Sequence, residues 1–220
     1  FGAALAGGVN RAAEKLGGPA KDCAVYIEKG ATPRGHAHRA RWEEMLDTCP
    51  SSTATMETGN PVHPTEIGQP ARINPFDGEQ VARSVAGLRG RRSFEDSLGI
   101  CIFTSRVRLD YICRALSAAT GWNFTVDEAL RFGKRTAAIN RATALRCGHT
   151  GALEYPSKRY GSTPVDGPAK GQAIREQWEK MLDTWYSEVG FDRKSGKPLP
   201  KTLKGLGLDW LAKDLWGKKA

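Results

Sequence analysis

The stretch "IREQWEKMLDTWYSEV", residues 174–189, carries the clearest periodic pattern of the chain. Its apolar side chains recur three or four positions apart, at Ile174, Trp178, Met181, Leu182, Trp185 and Val189. This spacing places them on one face of an α-helix. The pattern predicts a long helix that faces the core, with its two tryptophans as core residues rather than a stacking platform.

Helical patterns continue on both sides of this stretch. Residues 125–128, Thr-Val-Asp-Glu, form a capping box that opens a helix predicted to run to about Arg146. The other predicted helices cover 1–17, 40–46, 78–92, 107–119 and 203–215, the last as one short helix or a pair. A short strand is predicted over 23–27, and a turn is predicted over 192–196.

Two long loop regions, 29–78 and 148–170, contain most of the prolines of the chain. Irregular chain of this length in a compact domain usually wraps a site or a partner. Together with the helical patterns, these regions predict a mainly α protein with long loops and few strands.

The chain is strongly basic, with 33 lysines and arginines against 24 acidic residues in a length of 220. The densest basic cluster, residues 89–92, contains no aromatic side chain. Such a surface suits an acidic protein, a nucleotide or a coenzyme A ester, and it lacks the aromatic platform of a single-strand binder. No apolar run approaches the roughly 18 residues of a membrane span. We therefore expect no nucleic-acid partner and no membrane span.

The five cysteines and four histidines form no familiar disulfide or zinc pattern. The number of cysteines is odd and no pair is spaced C-x-x-C, which indicates a reducing compartment, the cytoplasm. His36 and His38 provide two ligands at most, so loop histidines without a metal are favoured there. Cys113 and Cys147 are expected to be buried or without a chemical role.

The stretch "EDSLGICIF", residues 95–103, places a carboxylate and a thiol five residues apart, with a glycine between them. The carboxylate of Asp96 is able to accept paired N–H donors from a heterocycle. The thiolate of Cys101 is able to bind iron. The plainer interpretation is an Asp96 that caps the amino end of a helix and a buried Cys101. These residues alone favour the plainer interpretation.

Several motifs follow one another along the chain. They are "IEKGATPRGHAHRARW" (27–42), D-x-x-G-I-C (96–101), "ATGWNFTVDEALRFGKRTAAINRA" (119–142), "DGPAKG" (166–171) and "MLDTWYSEVGFDRKSGKPLPKTLKGLGLDW" (181–210). In this order they resemble the carboxy-terminal part of the aldehyde:ferredoxin oxidoreductase family of tungsten enzymes. Each motif is loose by itself, but their order covers nearly the whole chain and is specific. The resemblance implies the helical carboxy-terminal domains of that fold.

The resemblance also implies cofactors and site residues. In this family a tungsten ion, with molybdenum as the alternative metal, is chelated by two pyranopterins close to a [4Fe-4S] cluster. By carry-over, Asp96 binds a pterin and Cys101 is the fourth ligand of the cluster. The residues between them lie against the pterin, namely Ser97, Leu98, Gly99 and Ile100. Electrons are then expected to pass to ferredoxin or to an iron–sulfur electron-transfer subunit.

Parts of the family pattern are absent from this sequence. The C-x-x-C-x-x-x-C stretch with the other three cluster ligands is not found, and neither is the first pterin motif. We therefore expect an amino-terminal pterin-binding part of the same protein, or a partner chain, to supply the rest. Residues 1–25 are predicted to end a preceding helical domain, and 26–220 to form the domain with pterin and iron–sulfur contacts. A homodimer is one candidate assembly of this protein.

The region after the first loop bears on the substrate. The family's aldehyde oxidisers tend to have an R-G-A-C-H stretch there, whereas this chain reads "DTCPSSTATMETGN", residues 47–60. Glu57 falls roughly where the histidine would be, either as a proton donor or acceptor in a dry pocket or as a surface residue. The expected reaction is aldehyde oxidation to a carboxylic acid. The alternatives are the tungsten subunit of a benzoyl-CoA-reductase-like enzyme and a non-catalytic helical interaction domain.

Overall fold

A computed structural model describes residues 2–33, 35, 37–53, 57–58, 73–101 and 108–217. In these residues the chain forms eleven α-helices and no strand, which confirms the mainly α prediction. In chain order the helices are α1 Gly2–Ala6, α2 Gly8–Leu16, α3 Pro19–Cys23, α4 Trp42–Thr48, α5 Gly78–Leu88, α6 Arg91–Ser97, α7 Leu109–Thr120, α8 Val126–Arg146, α9 Ile174–Val189, α10 Pro200–Gly205 and α11 Asp209–Trp216. Short 3-10 turns lie at His38–Ala40 and Gly151–Leu153.

Helix α9 lies in the largest hydrophobic core. Its Trp178, Met181 and Trp185 are buried, and they share this core with Val81 and Val85 of α5. Helix α4 and the loops contribute further buried members, among them Ile27, Trp42, Met45, Leu46 and Tyr160. Removing these apolar surfaces from water is the main force that holds the three helices together. The prediction of a core-facing helix over 174–189 is confirmed.

Helix α8 takes part in two smaller cores. Near its amino end, Leu130 belongs to a core with Phe94 of α6 and Ile112 of α7. About two turns further on, Ala138 belongs to a core with Leu203 of α10. This 21-residue helix therefore connects the region of α6 and α7 to the carboxy-terminal helices.

The predicted capping box at the start of α8 is confirmed. The N–H of Glu128 donates to Thr125 Oγ1 at 3.2 Å, and the N–H of Thr125 donates to Glu128 Oε2 at 2.8 Å. Two amide groups that the helix leaves unpaired are satisfied in this way. The helix ends at Arg146, as predicted.

A fully buried ion pair joins α8 to the loops. Arg141 Nη1 lies 2.7 Å from Glu154 Oε1, and neither side chain is exposed to solvent. The guanidinium also donates to the carbonyl oxygens of Pro50 at 3.1 Å and Gly196 at 2.9 Å. Tyr186 of α9 accepts from Arg141 and donates to Glu154. The predicted turn over 192–196 is thereby attached to α8.

The strand predicted over 23–27 is wrong. The chain there first completes α3, which begins at Pro19, a residue favoured at the first helical position. Ile27 then makes a single isolated bridge with Pro156, and its N–H donates locally to the carbonyl oxygen of Ala31. The bonds of this bridge run from the N–H of Glu28 to the carbonyl oxygen of Tyr155 and from the N–H of Ser157 to that of Tyr26, and no further pairing follows among the described residues.

Two other predicted helices are divided by glycines. The segment 1–17 forms α1 and α2 with a break at Gly7, and the segment 78–92 stops at Leu88. Gly90 then has φ of +93°, a left-handed conformation that a right-handed helix cannot continue. The chain turns there and starts α6. The last predicted segment is the pair α10 and α11.

The turn at Gly90 packs directly on α8. A Cβ atom added to Gly133 of α8 would lie 1.8 Å from the carbonyl oxygen of Gly90. A Cβ atom added to Gly90 would lie 2.5 Å from the backbone nitrogen of Lys134. Since the opposing atoms are backbone, no flexible side chain is there to move aside. The two glycines therefore allow α6 to approach α8 this closely.

We predict that Gly133→Ala lowers the free energy of unfolding by about 1 to 3 kcal/mol, because the new methyl group has to push α6 away from α8. The urea midpoint of the purified protein measures the change. Gly205→Ala in α10 is the matched control, since a Cβ atom there meets no atom within 4 Å. Its midpoint should stay unchanged or rise, because alanine favours helices more than glycine does. Equal midpoints for the two variants would contradict the close packing.

Candidate functional site

Asp96 and Ser97 form the last turn of α6. The carboxylate of Asp96 accepts a hydrogen bond from Arg92 Nε at 3.0 Å and pairs with Arg92 Nη2 at 2.7 Å. Its side chain remains 50% exposed. Ser97 Oγ donates to the carbonyl oxygen of Phe94 at 2.6 Å. Asp96 thus lies at the carboxy end of a helix, and its interpretation as an amino-terminal cap is wrong.

The four residues after this turn alternate between the core and the surface. Leu98 and Ile100 pack against the core that contains Phe94. Gly99 and Cys101 are exposed instead. The interpretation of Cys101 as a buried residue is therefore wrong. The apolar pair anchors the stretch and leaves its polar groups at the surface.

The cofactor contacts that the sequence motif implies at this surface stay a prediction. Gly99 has φ of +70°, and a Cβ atom added to it would meet no atom within 4 Å. The backbone at Gly99 is therefore uncovered. The carboxylate of Asp96 and the thiol of Cys101 are both exposed on this short segment. Within the part of the chain that the structure describes, no three His, Cys, Asp or Glu residues are grouped to hold a metal.

Glu57 is buried rather than at the surface. Its Oε1 accepts the N–H of Ser52 at 2.8 Å, and its Oε2 accepts Arg89 Nε at 2.9 Å. The two charged side chains are only 4% and 5% exposed. The surface interpretation is wrong, and the catalytic interpretation stays a prediction. Both oxygens of the carboxylate already have a donor.

The backbone of Glu57 connects this buried pair to α6. Its carbonyl oxygen accepts the N–H groups of Gly90 and Arg92, each at 3.2 Å. Glu57 therefore lies at the amino end of α6, whose carboxy end bears Asp96. The seven residues of this helix correspond to a length of roughly 10 Å. The structure thus brings two of the predicted site regions to the same short helix.

Asp47 is a second buried carboxyl group, and the sequence reasoning missed it. Its Oδ2 accepts the N–H of Thr58 at 3.1 Å and the hydroxyl of Thr58 at 2.7 Å. Burial, with a smaller contribution from the charge of Glu57, raises the pKa of Asp47 to about 7. The sequence feature that could have indicated Asp47 is an acidic residue among the apolar positions of the helix that the structure shows as α4.

The predicted loop histidines take part in protein contacts where the structure describes them. His38 is buried, with Nδ1 hydrogen-bonded to the hydroxyl of Tyr160 and Nε2 at 3.1 Å from Glu44 Oε2. The hydrogen bond from His38 is the main cause that lowers the pKa of Glu44 to about 2. His149 Nε2 lies 2.8 Å from Glu154 Oε1. His36 lies outside the described residues.

The cysteines differ in their surroundings. Cys113 is buried on α7, as expected, and Cys49 is buried beside α4. Burial raises the pKa of Cys49 far above the usual range of a thiol. Cys23, Cys101 and Cys147 are exposed. Only Cys101 among the exposed three belongs to a motif with an acid and a glycine.

Comparison with known proteins places the chain in a family. The family model "Aldehyde ferredoxin oxidoreductase, domains 2 & 3" matches residues 1–208. The chain therefore belongs to the aldehyde ferredoxin oxidoreductase family, in the part described as domains 2 and 3. This confirms the resemblance and the helical carboxy-terminal fold that it implied.

Individual relatives share moderate identity with the chain. A "Tungsten-containing aldehyde ferredoxin oxidoreductase" of Pyrococcus horikoshii is 30% identical over 67% of this chain and 24% of the relative. The protein of the same name in Pyrococcus furiosus is 26% identical over 94% of this chain and 34% of the relative. An "Aliphatic sulfonate oxidoreductase, WOR-like subunit" of Pyrococcus furiosus is 27% identical over 94% and 32%. The chain thus spans a quarter to a third of the length of these relatives.

Among the helices that the structure describes, none is both long and apolar enough to cross a membrane.

Asp47 makes the stability depend on pH in a defined direction. Its pKa is higher in the folded than in the unfolded chain, so the folded state holds the proton longer as pH rises. We predict that Asp47→Asn removes a loss of stability which the natural chain shows between about pH 4 and 7. Urea unfolding across this range measures the difference between the two proteins. Parallel stability curves would show that Asp47 titrates normally.

Proposed function

We propose that this chain is the carboxy-terminal part of a tungsten-dependent oxidoreductase that oxidises aldehydes to carboxylic acids. The observation that carries the proposal is the joint exposure of Asp96 and Cys101 on either side of the uncovered turn at Gly99. Membership in the family and the names of the relatives support it.

In this proposal the carboxylate of Asp96 accepts N–H donors at the edge of a pterin. Arg92 orients the carboxylate through its two contacts, and half of the side chain stays accessible for a ligand. The stretch Ser97, Leu98, Gly99 and Ile100 lies against the cofactor through its backbone. Leu98 and Ile100 pack against the core and hold this stretch in place.

The thiolate of Cys101 is proposed as the fourth ligand of a [4Fe-4S] cluster. When bound, the tungsten bis-pyranopterin, or its molybdenum counterpart, and the cluster supply the redox chemistry. Ferredoxin or an iron–sulfur electron-transfer subunit is the proposed electron acceptor. The thiol of Cys101 is exposed at the end of a segment that packs on the core. This position suits a cluster that other parts of the protein also have to ligate.

The proposal assigns the remaining donors to an amino-terminal part of the same protein. The sequence lacks three of the four cluster cysteines, and the chain spans a quarter to a third of its relatives. Residues 1–25 would end a preceding helical domain, and 26–220 would form the domain that contributes the contacts. This chain alone would not assemble the metal site.

Glu57 favours a second candidate, the tungsten subunit of a benzoyl-CoA-reductase-like enzyme. The R-G-A-C-H stretch of aldehyde oxidisers is absent, and the carboxylate in its place is held by Ser52 and Arg89.

Dye-linked assays of the full-length protein with aldehydes and with benzoyl-CoA separate the candidates. Turnover of aldehydes supports the first, and reduction of the aromatic ring supports the second.

Replacing Cys101 by alanine should remove one ligand of the cluster. We expect the iron content of the full-length protein, purified without air, to fall clearly below about four per chain. Iron analysis and the electron paramagnetic resonance of the reduced protein measure the change. Cys147→Ala is the control, because Cys147 is also exposed but lies outside the motif. An unchanged iron content in the Cys101 variant would exclude it as a ligand.

Replacing Asp96 by asparagine should weaken retention of the pterin. A neutral amide offers a single acceptor oxygen where the carboxylate offers two, so we expect tungsten and pterin contents to drop severalfold. Asp214→Asn is the control, since it disrupts a comparable exposed pair with Arg146. If both variants keep full tungsten, Asp96 serves only its contact with Arg92.

A further inference from the structure

A cavity of about 340 Å³ lies between the ends of α5 and α9 on one side and α8 and α10 on the other. None of the residues 96–101 lines it. Its basic lining residues are Arg89, Lys134 and Lys201. Apolar wall is contributed by Ala86, Val189 and Leu206. The cavity thus combines positive charge with an apolar surface.

Arg89 is a buried cation that uses only one of its three nitrogens, Nε, in a hydrogen bond to a described residue. It is 4% exposed, its Nε donates to Glu57, and its guanidinium lies 4.6 Å from the centre of the Phe191 ring. Among the residues that the structure describes, its Nη1 and Nη2 groups have no hydrogen-bond partner. Arg89 lines the cavity, and an anion bound there is able to accept hydrogen bonds from these Nη groups.

Lys134 adds a second positive charge to the same cavity. It is partly buried, and no described residue forms an ion pair with it. Burial first, and then the charge of Arg89, lower the pKa of Lys134. An ammonium group that is partly desolvated beside a guanidinium favours an anion as its neighbour.

The acidic residue at the cavity does not balance these charges. Glu188 lines the wall, but its carboxylate is paired with Arg83. Glu57 has one oxygen on Arg89 and the other on the N–H of Ser52. The cavity therefore keeps an excess of positive charge from Lys134 and Lys201.

We propose that this cavity binds a small organic acid through its carboxylate. The Nη groups of Arg89 form a planar fork that matches a carboxylate, and the ammonium of Lys134 completes its charge balance. The apolar body of the acid lies against Ala86, Val189 and Leu206. An inorganic anion would leave this apolar wall without a contact. The site stands independently of the proposed function.

Calorimetric titration of the full-length protein with hexanoate tests the proposal. Hexanamide, which has the same apolar body without the charge, should bind at least tenfold more weakly. Acetate should also bind more weakly, since it leaves the apolar wall uncovered. Equal affinity for hexanoate and hexanamide, or no binding of hexanoate, would overturn the assignment. Equal affinity for acetate would overturn the role of the apolar wall.

Lys134→Gln should weaken hexanoate binding about tenfold. The control Lys170→Gln makes the same charge change at an exposed position outside the cavity and should leave the affinity unchanged. Lys134→Gln should fold, because it removes a charge that burial disfavours. Lys201→Gln changes an exposed lining residue and should reduce the affinity a few-fold. Wild-type affinity in both lining variants would overturn the proposal.

Discussion

The fold depends on one ion pair that is fully removed from water, Arg141 with Glu154. Burial disfavours the carboxylate, but the hydrogen bond from His149 and the charge of Arg141 outweigh it and lower the pKa of Glu154. Either charge alone in this place would cost several kcal/mol. Because the guanidinium also binds the carbonyl oxygens of Pro50 and Gly196, four separate segments have to meet before both charges are satisfied.

The candidate site is positioned through this arrangement in three steps. Arg141 attaches α8 to α9 and the loops, and Gly133 of the same helix lets the turn at Gly90 pack on it. That turn sets the start of α6, where the carbonyl of Glu57 accepts two backbone N–H groups. The helix then ends at Asp96 and Ser97, close to the surface. A contact deep in the protein thereby decides where the motif is exposed.

Much of the fold was predictable because its signals are local. The stripe over 174–189 and the capping box at Thr125 depend on residues within one or two turns, and both are confirmed. The prediction of a strand over 23–27 failed because strand pairing depends on a distant segment, and among the described residues only one isolated bridge, Ile27 with Pro156, forms there. The break at Gly90 was missed because apolar spacing continues past it, while its backbone conformation depends on contact with Gly133.

The sequence by itself determined most of the longer helices through apolar spacing and capping signals, and its motifs in order, D-x-x-G-I-C among them, indicated the family by resemblance. Only the tertiary structure decided that Asp96 and Cys101 are exposed and that Glu57 is buried with Arg89. It also brought Lys134 to the same cavity as Arg89. The reason is that burial and charge pairing arise between segments far apart in the chain, and no local pattern records which of them meet.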